Sequence, residues 1–227
     1  MSFQHGSITT SGTAFTPPST GSRRPSRPGQ LAPGTVEHLA GGMDPQAISE
    51  MSHVSAAALL DRVHHSTDPQ IVGRVLTVVD TEGVDIIAEL WSNADPDSLP
   101  GILWRLYMLR SWMHREPQTI ARLWSQGEPV ATSASAIAGL DSAPTADDIA
   151  HTADSILSGA FTGDFAIALD RASAFTAVIA NGLRSQAQTG TDIPQEKAQL
   201  VHRAANLHTT SSDFHHGAAL WRRGRLE

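Results

Sequence analysis

Four acidic residues between positions 44 and 116 are each followed directly by proline. The pairs are Asp44-Pro45, Asp68-Pro69, Asp95-Pro96 and Glu116-Pro117. Each pair can start a helix, because the side-chain oxygen accepts from a free amide of the first turn and proline loses no hydrogen bond there. The spacings of 24, 27 and 21 residues are irregular. The chain is therefore predicted to form helical hairpins but no solenoid repeat.

Apolar spacing along the chain predicts nine helices. Their ranges are 45–65, 69–79, 82–92, 98–115, 117–126, 146–158, 164–181, 195–209 and 213–223. The β-branched run 71–79 competes as a strand, but it would have no partner strand. The fold class is therefore predicted to be all-α, a non-repeating bundle of eight or nine helices whose central helix is 98–115.

Two of these helices carry clear boundary signals. Thr145 can cap a helix whose first turn contains Asp147 and Asp148. The helix from Asp164 has the clearest apolar stripe, and Gly182 is expected to end it.

The chain divides by composition into a tail and a domain. Residues 1–42 are rich in Ser, Thr, Pro, Gly and Arg, so ordering them would cost more entropy than their burial returns. They are predicted to be disordered, and Ser26, which follows Arg23 and Arg24, is a candidate phosphorylation site. Residues 43–227 are predicted to form one helical domain. The polar stretch 127–144 is either a functional loop or a join between halves 43–127 and 145–227.

Composition excludes several classes of protein. The chain has no cysteine, which rules out disulfides, thiolate metal sites and a cysteine nucleophile. No apolar run approaches the roughly 18 residues of a spanning helix, and no signal peptide is recognisable. We therefore predict a cytoplasmic protein without membrane spans.

Charge is distributed unevenly along the chain. Residues 44–221 hold ten Lys and Arg against 21 Asp and Glu, a formal charge of −11 that would repel a phosphate backbone. Both ends of the chain are basic. Nucleic-acid binding by the body is disfavoured, and association through the basic ends is the weaker alternative.

Catalytic and metal-binding signatures are incomplete. Glu50 and His53 have the Glu-x-x-His spacing of di-iron bundles, but no second copy exists. There is no phosphate-binding loop and no Gly-x-Ser-x-Gly elbow, and the single lysine is Lys197. We predict no metal, no cofactor and no catalytic residue.

The stretch from Ser98 to Trp112 is apolar on nearly every side. One interpretation is a core helix whose two arginines have internal partners, because buried charges need them. The other is a face that binds a partner or an anion, since Trp, Tyr and Arg dominate binding hot spots. The residues of this candidate site are Trp104, Arg105, Tyr107, Arg110 and Trp112.

Together with residues 159–172, this stretch resembles an uncharacterised family of all-helical proteins from high-GC Gram-positive bacteria. The resemblance covers residues 60–185. It implies a helical fold but no activity, and no functional residue can be transferred from it.

These observations favour a non-enzymatic binding or regulatory module that acts through protein contacts. The alternative is an enzyme or small-ligand-binding bundle with a pocket lined by Arg105 and Arg110. The partner and the oligomeric state are not specified by the sequence.

Overall fold

The computed structural model describes residues 44–64, 90–190 and 192–227. Within these ranges the chain forms seven α-helices and one 3-10 turn, Glu128–Val130, and no strand. The all-α prediction is thus confirmed for the described residues. The helices are α1 (Pro45–His64), α2 (Leu99–Arg115), α3 (Pro117–Gly127), α4 (Thr132–Ala138), α5 (Ala146–Thr162), α6 (Phe165–Thr189) and α7 (Pro194–Arg222).

The described ranges hold seven helices, whereas eight or nine were predicted. The predicted helix 69–79 and residues 82–89 of the predicted helix 82–92 fall outside the described residues. The predicted tail 1–42, with Ser26, lies outside them as well. The stretch 127–144 is more structured than predicted, because it contains the 3-10 turn and α4.

The predicted helices 195–209 and 213–223 are a single helix, α7. Ser and Thr residues lie between the two predicted ranges, and such hydroxyls can compete for backbone hydrogen bonds. In α7 these hydroxyls instead bond to carbonyls one turn earlier, Thr210 Oγ1 to Asn206 at 3.1 Å and Ser212 Oγ to His208 at 3.1 Å. The polar side chains are therefore accommodated without interrupting the helix.

Most helix starts follow local sequence. α1 begins at Pro45, where Asp44 Oδ1 accepts from the amide of Gln46 at 3.1 Å, and α3 begins at Pro117. Asp95-Pro96 is not a helix start, because α2 begins at Leu99. Its cap is the hydroxyl of Ser98, which accepts from the amide of Gly101.

The central helix of the described bundle is α6 rather than α2. It packs against α3, α4, α5 and α7, and fourteen of its residues are buried, compared with eight in α2. Gly182 does not end α6, as the sequence suggested, but lies buried within it against the backbone of α3. The α7 helix runs alongside α6, and α1 packs on α2 and α5.

Candidate functional site

A groove of about 820 Å³ lies between α1, the start of α2 and the end of α7. We call it the α1–α7 groove. Six of its ten lining residues are apolar, and the others are three carboxylates and a histidine. The lining residues are Glu50, His53, Val54, Ala57, Leu60, Asp61, Leu99, Trp221, Leu226 and Glu227.

One stripe of α1 forms a wall of this groove. The lining positions from Glu50 to Asp61 follow the i, i+3, i+4, i+7 spacing that places side chains on one helix face. Leu60 is buried at the base of the stripe, whereas Val54 is 63% exposed. The stripe therefore has an apolar middle that the described part of the chain does not bury.

The opposite wall is built where the chain turns back after α7. Gly224 adopts a positive φ of 62°, and the amide of Arg225 donates to the carbonyl of Leu220 at 3.0 Å. This turn places Leu226 in the core cluster, and the backbone oxygen of Glu227 accepts from the amide of Leu99 at 2.7 Å. The bond satisfies one of the free amides at the start of α2.

Trp221 is fixed in this wall by an aromatic contact. Its ring meets the buried Phe165 ring edge to face, with centroids 4.8 Å apart. Such pairs contribute to stability beyond their buried area. The indole is consequently held by the core of the bundle while it lines the groove.

The aromatic residues of the sequence-predicted site lie together on α2. Trp104 and Tyr107 stack with ring centroids 5.9 Å apart, and Trp104 and Trp112 are partly buried against the core. Met108, on the same side of the helix, is 42% exposed. Trp104 is therefore not in the fully buried position expected of a core residue.

The two arginines of that predicted site are directed to different helices. Arg105 donates to the carbonyl of Gly101 at 3.0 Å and forms an ion pair of 3.3 Å with Asp213 of α7. Arg110 binds Asp154 of α5 at 2.8 Å. Each arginine thus links α2 to a neighbouring helix.

Asp154 accepts from two side chains of α2. His114 Nε2 lies 2.9 Å from the same Oδ1 atom that Arg110 contacts. Desolvation opposes ionisation of this carboxyl, but the hydrogen bonds from His114 and Arg110 outweigh it and hold the pKa of Asp154 below its ordinary value of 3.8. The carboxylate form is therefore favoured by the folded state.

A second concave surface, of about 600 Å³, lies between α6 and α7 and contains serines beside histidines. Ser173 Oγ donates to the carbonyl of Ser211 at 2.8 Å, and Ser211 Oγ donates to the carbonyl of Ser173 at 2.9 Å. Ser212 Oγ donates to the backbone carbonyl of His208 in its own helix. These hydroxyl protons are donated to carbonyls, so none of these three serines is activated by a histidine as a nucleophile.

Glu50 and His53, the pair with di-iron spacing, both line the α1–α7 groove. Among the residues that the structure describes, no group of three or more His, Asp and Glu side chains could hold a metal ion. Nor does any helix in the described ranges have the length and apolar character needed to cross a membrane.

The groove was missed by sequence reasoning because its walls come from three distant parts of the chain. A signal was available in α1, where Glu50, Val54, Ala57 and Asp61 share one face. On that face only Glu50 and His53 match a known sequence pattern, the Glu-x-x-His spacing of a metal pair.

No protein-family model, no curated protein and no solved structure matches this chain.

Proposed function

We propose that this chain is a non-enzymatic binding module that holds an apolar segment of a partner protein in the α1–α7 groove. The observation that carries the proposal is the exposed apolar middle of the α1 stripe above a buried floor of Leu60, Leu99 and Leu226. Concave apolar surfaces bordered by polar residues are typical of protein interaction sites. A cytoplasmic location, consistent with the lack of cysteine, is part of the proposal.

The aromatic face of α2 is less favoured as the binding surface. It has the residue types of a hot spot, but Tyr107 and Arg110 take part in further interactions within the chain. Arg105 and Arg110 also hold α2 against α7 and α5. We assign this face a mainly structural role.

A small-molecule site in the same groove is the second candidate. Its volume lies within the range of ligand pockets, and three carboxylates and His53 converge on an apolar lining. This candidate predicts that a small cationic compound, which would pair with the carboxylates, raises the melting temperature of the purified protein. The proposed resemblance to helical proteins of high-GC Gram-positive bacteria does not distinguish the two candidates.

The test replaces Val54 by glutamine, which removes the apolar contact without adding charge to the groove. Full-length wild-type protein and the Val54→Gln variant are each used for affinity purification from the native host, and the bound proteins are quantified. We expect at least one protein to be retained by the wild type and lost from the variant.

Ile137→Gln is the matched control, because Ile137 is 55% exposed on α4 and does not line the groove. It should retain the same partner as the wild type. A partner set unchanged by Val54→Gln would contradict binding at the groove, and loss of the partner in both variants would indicate a general effect of the substitutions.

A further inference from the structure

We infer that the segment bound in the α1–α7 groove is a basic amphipathic helix of a partner protein. The inference rests on the proposed function and names the chemistry of the partner. It follows from the length of the α1 stripe, the side chain at its centre and the charge around it.

The length of the stripe suits a helix. Glu50 and Asp61 are eleven residues apart on α1, which corresponds to about 16 Å at 1.5 Å per residue. A partner helix of about three turns covers this distance. Its own apolar stripe would pack along the exposed Val54 and Ala57 positions, as helices do in bundles.

Ala57 lies at the centre of the stripe and is exposed. A small side chain at a crossing point allows two helix axes to approach to about 8 Å, the close end of the usual range. Val54 on one side and the fixed ring of Trp221 on the other give the crossing two larger apolar contacts. An extended peptide that adds as a strand would instead need a free strand edge, and the described residues form no strand.

The charge of the groove selects a basic partner. Glu50 and Glu227 are both exposed and both line it. Residues 44–227 carry a formal charge of −9 even with the three arginines at 222, 223 and 225, which adjoin the end of the groove in sequence, so the net field has the same sign. Lys or Arg residues on the partner helix would pair with these carboxylates and set its orientation.

Charge also disfavours two occupants from the protein itself. Residues 65–89, which connect α1 to Leu90, hold five carboxylates and the single arginine Arg74. A second copy of the chain would bring another acidic body to an acidic groove. Like charges placed together at an interface oppose binding.

The experiment selects random peptides about 15 residues long, enough for four helical turns, from a display library against the full chain. Enriched peptides are then measured against the wild type and against Val54→Gln, with Ile137→Gln as control. We expect peptides with apolar residues spaced at i, i+3, i+4 and i+7 and an excess of Lys and Arg. Their affinity should fall about tenfold in Val54→Gln and remain unchanged in Ile137→Gln.

A second pair of variants tests the charge. Glu50→Lys should lower the affinity of the basic peptides several-fold at low salt and much less at high salt, because salt screens the attraction between exposed charges. Asp192→Lys, an equivalent charge change outside the groove lining, should have little effect.

The outcomes separate this inference from the proposed function. Peptides that depend on Val54 but are acidic, or that lack helical spacing, would overturn the basic-helix inference and leave groove binding intact. Absence of any Val54-dependent peptide would overturn both. Concentration-dependent dimers of the wild type that are lost in Val54→Gln would show that the occupant is a second copy, which also overturns the inference.

Discussion

Gly127 of α3 and Gly182 of α6 face each other where the two helices cross. A Cβ atom built on Gly127 would lie 2.0 Å from the carbonyl oxygen of Val178 and 2.7 Å from the amide nitrogen of Gly182. A Cβ on Gly182 would lie 2.0 Å from the carbonyl oxygen of Leu123. Both obstacles are backbone atoms, which cannot move aside as a side chain can. The absence of two side chains therefore sets the distance between α3 and α6.

Gly127→Ala and Gly182→Ala should each destabilise the fold by about 1–3 kcal/mol or more, since about 1–3 kcal/mol is the usual cost of overpacking a close contact. Gly159→Ala is the control, because its Cβ would meet only Ala168 Cβ at 3.9 Å. Gly159 lies within α5, where alanine should be neutral or stabilising by up to about 1 kcal/mol relative to glycine. Urea unfolding measures all three. Equal stability of the three variants would show that the crossing is looser than these distances indicate.

Trp124→Ala should cost about 3–5 kcal/mol, the range for emptying a large aromatic site in a core. Trp124 is fully buried, stacks on Phe175 with centroids 5.4 Å apart, and donates from Nε1 to the carbonyl of Asp141 at 2.8 Å. Trp104→Ala should cost less, because Trp104 is only partly buried. Denaturant unfolding of both variants checks this order, and a larger loss for Trp104 would contradict it.

Asp154→Asn should lower stability at neutral pH and have progressively less effect in acid. Because the pKa of Asp154 is lower in the folded protein than its ordinary value of 3.8, ionisation stabilises the fold. That contribution is fully present above about pH 5, declines near the ordinary value of 3.8 and is lost as the pH falls through the lower folded-state value. Urea midpoints of wild type and variant between pH 7 and pH 3 should therefore converge toward the acid end.

The control for this pH dependence is Asp192→Asn, which changes an exposed carboxylate before α7. The difference in stability between Asp192→Asn and the wild type should stay small across the same pH range. A stability difference for Asp154→Asn that is constant with pH would mean that the carboxylate charge is not what binds α5 to α2.

Gly224→Ala should destabilise the fold by about 1–2 kcal/mol, the cost of left-handed backbone for a residue with Cβ. A Cβ there would meet no atom within 4 Å, so the φ of 62° alone accounts for the cost. Gly224→Asn should cost less, because asparagine tolerates this conformation. Thermal unfolding of the two variants tests this, and equal losses would imply a contact beyond the conformational term.

Features that depend on neighbouring residues could be predicted before the fold was known. Proline after Asp44 and Glu116 marked two helix starts, and Thr145 forms the predicted cap, with Asp148 bonding back to its amide at 2.8 Å. Helix capping and helical periodicity act over three or four residues, so they can be read locally. The all-α class follows from them.

Features in which distant residues meet could be recognised only from the packed helices. Gly182 has the local form of a helix stop, but the backbone of α3 packs against it, and α6 continues to Thr189. The partners of Arg105 and Arg110 lie more than forty residues away, on α7 and α5. The groove combines α1 with residues after α7, because hydrophobic burial is non-directional and joins whichever apolar surfaces the packed helices bring together.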